Sequence, residues 1–186
     1  MSEITILKPA SQPAAEPVRW YALTVRHQHE RQTEKALRSK GLETLVPLYR
    51  SRRQWSDRVQ ELDLPLFAGY VMSRFALNQR IAVLSTPGVA SIVGFGGKPA
   101  PLDDAEIAAI ARLLESKLAL APWPYLKPGD RVRVEHGPMR GLSGTLLRTK
   151  EGLRLVIGVD LLQRSVAVEV DRAWVVPERV IRAGVA

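Results

Sequence analysis

The chain contains no cysteine. Disulfides, cysteine-ligated zinc, iron–sulfur clusters and thiol nucleophiles are therefore excluded at the outset. It also lacks any apolar run near the roughly 18–20 residues that span a bilayer, so no membrane contact is expected. The first residues do not read as a secretory signal. Residues 4–7 are too short for an apolar core, Glu3 is acidic, and Pro9, Pro13 and Pro17 follow. A cytoplasmic protein fits these absences. Histidine is scarce. His27 and His29 could reach one side of a strand end, but no third histidine stands near them in sequence, and no metal is expected. His136 has no serine or cysteine nucleophile signature beside it. Gly94-Phe95-Gly96-Gly97-Lys98 lacks the spacing of a phosphate loop, and Lys98 is followed by Pro99 instead of a hydroxyl residue and a helix. Asp103-Asp104 sits at a helix start, where a carboxylate acts as a cap. Nothing in the sequence points to an enzyme or to a cofactor.

What the sequence does have is positive charge and enough apolar residues to fold. The 186 residues carry a formal charge of +8, and 46% are hydrophobic. One medium domain or two small ones are expected, with an acidic partner, nucleic acid being the commonest.

Residues 1–17, rich in proline, read as a flexible tail. Residues 18–26 read as a strand, 27–40 as a helix closed by Gly41, and 43–50 as another strand. Arg50, Arg52, Arg53 and Arg58 surround Trp55 in a stretch poor in core residues. It reads as a protruding hairpin suited to a phosphate backbone. Residues 64–75 form an apolar strand with two apolar faces, Phe67 and Val71 on one and Tyr70 and Met72 on the other. Leu77, Ile81 and Leu84 have the spacing of a short helix, ended by Thr86-Pro87-Gly88. Residues 89–95 read as a strand. Asp103 then starts a helix, with Glu106 as its capping-box partner and Ile107, Ile110, Ala111, Leu114 and Leu118 as its buried stripe. The order fits an α+β domain over residues 18–120, an antiparallel sheet with helices on one face and the other face free. Prolines mark residues 121–127 as a linker. About five short strands over residues 128–182 predict a small all-β barrel.

Two segments together carry a resemblance. Trp20-Tyr21 opens a strand, and LFAGYV (66–71), STPGV (85–89) and GFGGKPAPL (94–102) follow. KPGDRVRVEHGPMRGLSG (127–144) comes after the prolines. The first set resembles the N-terminal domain of the bacterial NusG family of transcription factors, and the segment 127–144 is similar to the KOW motif of that family's C-terminal SH3-like barrel. The resemblance implies transcription elongation and antitermination, with RNA polymerase as the partner. It implies that the N-terminal domain grips the β′ clamp helices through Thr24, Phe67, Tyr70, Met72 and Phe95 and meets the β subunit near Gln79 and Arg80. It places Arg26, His27 and Arg31 near non-template or upstream DNA; Arg52, Arg53 and Arg58 around Trp55 are nucleic-acid candidates on their own composition. It gives the KOW domain a recruiting role through Leu161, Leu162 and Arg164, with the ribosomal protein NusE as a candidate partner. The loop at 160–165 departs from the housekeeping form, so the resemblance does not carry Rho binding over. The ending LLQRSVAVEVD is similar to the specialised, operon-specific branch (the RfaH and UpxY type). A monomer is expected. The rival reading is an RNA-binding or ribosome-associated KOW protein.

Overall fold

The computed structural model describes residues 16–55, 58–124, 130–149 and 152–178, with the side chains of 52–59, 124 and 130 outside that description. The first sheet is built on β1 (Arg19–Val25), whose aromatic and β-branched residues suit a strand buried on both faces. β5 (Tyr70–Phe75) and β6 (Val89–Ile92) flank it, and β2 (Glu43–Leu45) lies outside β5, all antiparallel in the order β2-β5-β1-β6. β3 (Leu48–Trp55) and β4 (Arg58–Pro65) form a separate hairpin, paired from Leu48↔Pro65 to Trp55↔Arg58. Residues 43–50 are thus two strands, not one, because Pro47 breaks the run between them. β7 (Gly94–Phe95) and β8 (Lys98–Pro99) make another small hairpin. The helices are α1 (Glu30–Ser39), α2 (Arg80–Leu84, preceded by a 3-10 turn at Leu77–Gln79) and α3 (Asp104–Glu115).

Alternation along β1 divides the core. Tyr21, Leu23 and Val25 pack with Val71 and Phe75 of β5, Leu37 of α1 and Val83 of α2. The Tyr21 and Phe75 rings lie 4.8 Å apart between centroids. Trp20 and Ala22 join Met72, Leu102 and the α3 residues Ile107, Ile110 and Leu113. The expected free face is therefore covered: α1 and α2 serve one side, α3 the other. In α3 the fully inward third residue is Leu113, while Ala111 and Leu114 are half-buried and Leu118 lies beyond the helix end. Asp103 caps α3 by accepting from the Ala105 N–H at 2.8 Å. Glu106 does not close the capping box, because its carboxylate is turned to an N–H of the 160–162 turn instead.

The apolar run 64–75 is likewise not one strand. β4 ends at Pro65, a turn covers 66–69, and β5 begins at Tyr70. Gly69 has φ +85°, a conformation side chains disfavour. The turn is closed by Tyr70 N–H donating to the Phe67 carbonyl at 3.1 Å. It swings Phe67 into the same cluster as Tyr70 and Met72, although strict alternation would put Phe67 on the opposite face.

The second sheet has six antiparallel strands in the order β14-β10-β11-β12-β13-β9: β9 (Leu120–Pro124), β10 (Asp130–Val134), β11 (Ser143–Thr149), β12 (Gly152–Val159), β13 (Arg164–Glu169) and β14 (Val175–Pro177). β9 corrects the linker reading of 121–127, since Leu120–Pro124 pairs with β13 from Leu120↔Val168 to Pro124↔Arg164. Proline is compatible with a strand at a sheet edge, where every second N–H has no partner to meet, and Pro122 and Pro124 are two apart.

Candidate functional site

α2 carries the largest departure from the periodicity of the sequence. Leu77, Ile81 and Leu84 have the spacing of an inward stripe. The first turn is 3-10, with three residues per turn, so the phase shifts before the α-helix begins at Arg80. Val83 is the residue that ends up buried, while Ile81 is 72% exposed and Leu84 44%. These two line a groove of about 590 Å³ with Ala90, Ser91 and Ile92 of β6 and Gly94, Gly97 and Pro99 of the β7–β8 hairpin. Arg80 and Lys98 also line it, and among the described residues no carboxylate does. Phe95 stands on the same hairpin, 73% exposed. With Val18, these are the exposed large apolar residues among those described. Gathered apolar side chains beside cations suit an apolar partner with acidic flanks.

The other expected contact residues lie elsewhere or deeper. Phe67 (2% exposed) and Met72 (1%) are enclosed. Tyr70 is half-buried at the start of β5. Thr24 is half-buried, its hydroxyl 2.6 Å from that of Ser91. That bond ties β1 to β6 beside the groove. Gln79 is exposed and uses its Oε1 to accept from the Ala76 N–H at 3.2 Å, which closes the 3-10 turn before α2. Glu30, which nothing in its local sequence singles out, is buried at the start of α1 and accepts from the Gly69 N–H at 2.8 Å. It thereby holds the turn that delivers Phe67.

Arg26 and His27 are exposed just past the end of β1. Arg31, exposed on α1, pairs with Asp63 of β4 at 3.3 Å. The side chains of Arg52, Arg53 and Arg58 lie outside the described residues, although their backbone belongs to the β3–β4 hairpin. Among the described residues no group of three His, Asp or Glu is placed to hold a metal. No described helix is long and apolar enough to cross a membrane.

Of the C-terminal set, Leu162 is buried, Leu161 half-buried and Arg164 exposed. This loop meets α3. Glu106 Oε1 accepts from the Asp160 N–H at 3.0 Å, so the side chain expected to cap its own helix instead reaches the second sheet. Burial raises the Glu106 carboxyl above the usual carboxylate range. The Asp160 N–H lowers it, and the Asp160 and Asp103 charges raise it further. Arg112, six residues along α3, donates to the Arg140 carbonyl. One apolar cluster runs from Phe67 and Met72 through α3 into Leu155, Ile157 and Val166 of the second sheet.

Comparison with known proteins places this arrangement. The family described as transcription termination factor NusG matches residues 18–111. The chain is 31% identical over 135 residues to the transcription termination/antitermination protein NusG of Vibrio parahaemolyticus, covering 69% of this chain and 74% of that protein. It is 25% identical over 173 residues to NusG of Helicobacter pylori, covering 81% and 93%. A solved structure of Thermotoga maritima NusG, concerned with domain interaction, aligns over 86% of this chain and 96% of its own with a TM-score of 0.53 and 22% identity, a likeness of fold.

Proposed function

The chain belongs to the NusG family of transcription termination/antitermination proteins, and on that premise we propose that it is an operon-specific antitermination factor that rides on RNA polymerase. The observation that carries the reading is the exposed surface of Phe95, Ile81 and Leu84 beside Arg80 and Lys98. A free monomer does not gain by exposing such a cluster, and a bound one does. Phe95 and Tyr70 take the β′ clamp helices, with Phe67 and Met72 shaping that surface from beneath. Arg80, with Gln79 holding its turn, faces the β subunit. Arg26 and His27 add a salt-dependent contact to non-template DNA. The second sheet acts as the KOW domain and recruits a partner such as NusE through the exposed part of the 160–164 loop. The protein works in the cytoplasm, as a monomer until it binds, by holding the polymerase in an elongating state and not by chemistry of its own.

Two anchors should dominate an interface of this kind. Phe95→Ala and Tyr70→Ala are each expected to weaken retention on assembled transcription complexes by about 1–2 kcal/mol, roughly five- to thirty-fold. Pause duration should return toward that of the bare polymerase. Unchanged retention in both variants, together with binding of the wild type to free RNA, would transfer the assignment to an RNA-binding KOW protein.

A further inference from the structure

β9 stands where a linker is expected, and it does two things at once. It completes the second sheet by covering the outer edge of β13. It also shortens the connection between α3 and that sheet to residues 116–119. Four residues span at most about 14 Å, whereas with β9 unpaired the connector runs over residues 116–129 and spans up to about 50 Å. Two elements of very different character meet along this edge. On β13, Ser165, Val166, Ala167 and Val168 are all buried. On β9, Leu120, Ala121 and Trp123 are only half-buried and Pro122 is exposed. The prolines lack an N–H, so they fit the strand only with that side turned outward, which leaves Ala121 and Trp123 to bond β13. The pairing is a single five-residue edge ladder with half-exposed side chains on β9, and local opening begins at such edges.

We propose that β9 is an exchangeable strand: it leaves β13 when the second sheet moves away from α3, and the vacated β13 edge then takes an extended segment of a partner protein. This rests on reading the second sheet as a recruiting module. β9 in place shows what such a segment must offer. A small residue lies opposite Ala167, and an aromatic lies opposite Ser165. The Arg154 guanidinium lies 5.0 Å from the centre of the Trp123 ring, so the aromatic also gains a cation–π contact. Backbone pairing supplies affinity in strand addition, and alternate side chains supply selection.

The absence of native cysteine makes the test clean. Ala121 and Ala167 are direct cross-strand partners, so the double variant Ala121→Cys/Ala167→Cys locks β9 when oxidised and frees it when reduced. In another variant, Ala121→Pro removes an inward N–H and loosens β9. The probe is an end-blocked peptide with the sequence of residues 120–124, titrated into each full-length protein while the backbone amides of Ser165 and Ala167 are followed by NMR. Those amides should shift at a peptide concentration about tenfold or more lower in Ala121→Pro than in wild type, because the intramolecular competitor is gone. In the oxidised pair they should not shift, and reduction should restore the response. Equal response in the oxidised and reduced pair, or shifts confined to other residues, overturns the proposal. The cysteine pair decides the matter by itself if Ala121→Pro fails to fold. Wild-type retention on transcription complexes is measured in parallel: its absence counts against the functional reading, whereas a silent β13 edge counts against strand exchange alone.

Discussion

Glu30 sits at the first position of α1, almost wholly enclosed, with a backbone N–H as its hydrogen-bond donor. A carboxylate in that place favours the helix N-terminus and at the same time satisfies a turn glycine. Glu30→Ala should lower stability by about 1–3 kcal/mol in urea unfolding, the range for leaving a buried polar group unpaired. Glu30→Gln should lose less, because an amide oxygen can still accept. Equal losses would mean that the cost comes from packing and not from the bond. The partner, Gly69, is 39 residues away. Local pattern cannot show such a pair, which is why Phe67 falls on the wrong face when the run is read as one continuous strand. The bend that places it is legible at Gly69 only as a glycine. What makes it a fixed turn is a distant carboxylate.

At the scale of elements, α2 and α3 show where periodicity succeeds and where it slips. In α3 the apolar spacing identifies Ile107 and Ile110 correctly, because the helix is a regular α-helix from its cap onward. In α2 one 3-10 turn rotates the stripe, and the side chains that pattern would bury become the exposed groove. A one-turn change of pitch has no signature in composition. Glu106 misleads in a different way, since a capping-box glutamate and a glutamate reaching across to another sheet are indistinguishable in one dimension. Its raised carboxyl pKa has a definite consequence. The folded protein holds the proton more tightly than the unfolded chain, so protonation favours the folded state. Stability should therefore fall as pH rises through the window just above the ordinary carboxylate value. Urea unfolding measured against pH checks this. Glu106→Gln should flatten that dependence while keeping an acceptor. A titration unchanged by the substitution would locate the effect elsewhere.

At the scale of the molecule, the N-terminal α+β plan is readable because its strands and helices are each marked by their own residues. The second sheet is readable as a set of short strands between turns, but its sixth strand is hidden by prolines that normally argue against one. The relation between the two parts is not readable at all. A shared apolar cluster and two bonds from α3 join them, and these depend on tertiary placement. Such continuity predicts that both parts melt together. Calorimetry should give one transition whose van't Hoff and calorimetric enthalpies agree. Two resolved transitions would show that the shared cluster contributes little to cohesion.

The pairing of Leu120–Pro124 with Arg164–Val168 also sets an order of events during synthesis. β9 leaves the ribosome roughly forty residues before the strand it needs, which at ordinary elongation rates is a wait of about 2–10 seconds. By then every strand of the first sheet, and α3 against it, has already emerged. The first domain therefore has time to fold around β1 while β9 trails from α3, held close to the site where the last strands of the second sheet will arrive.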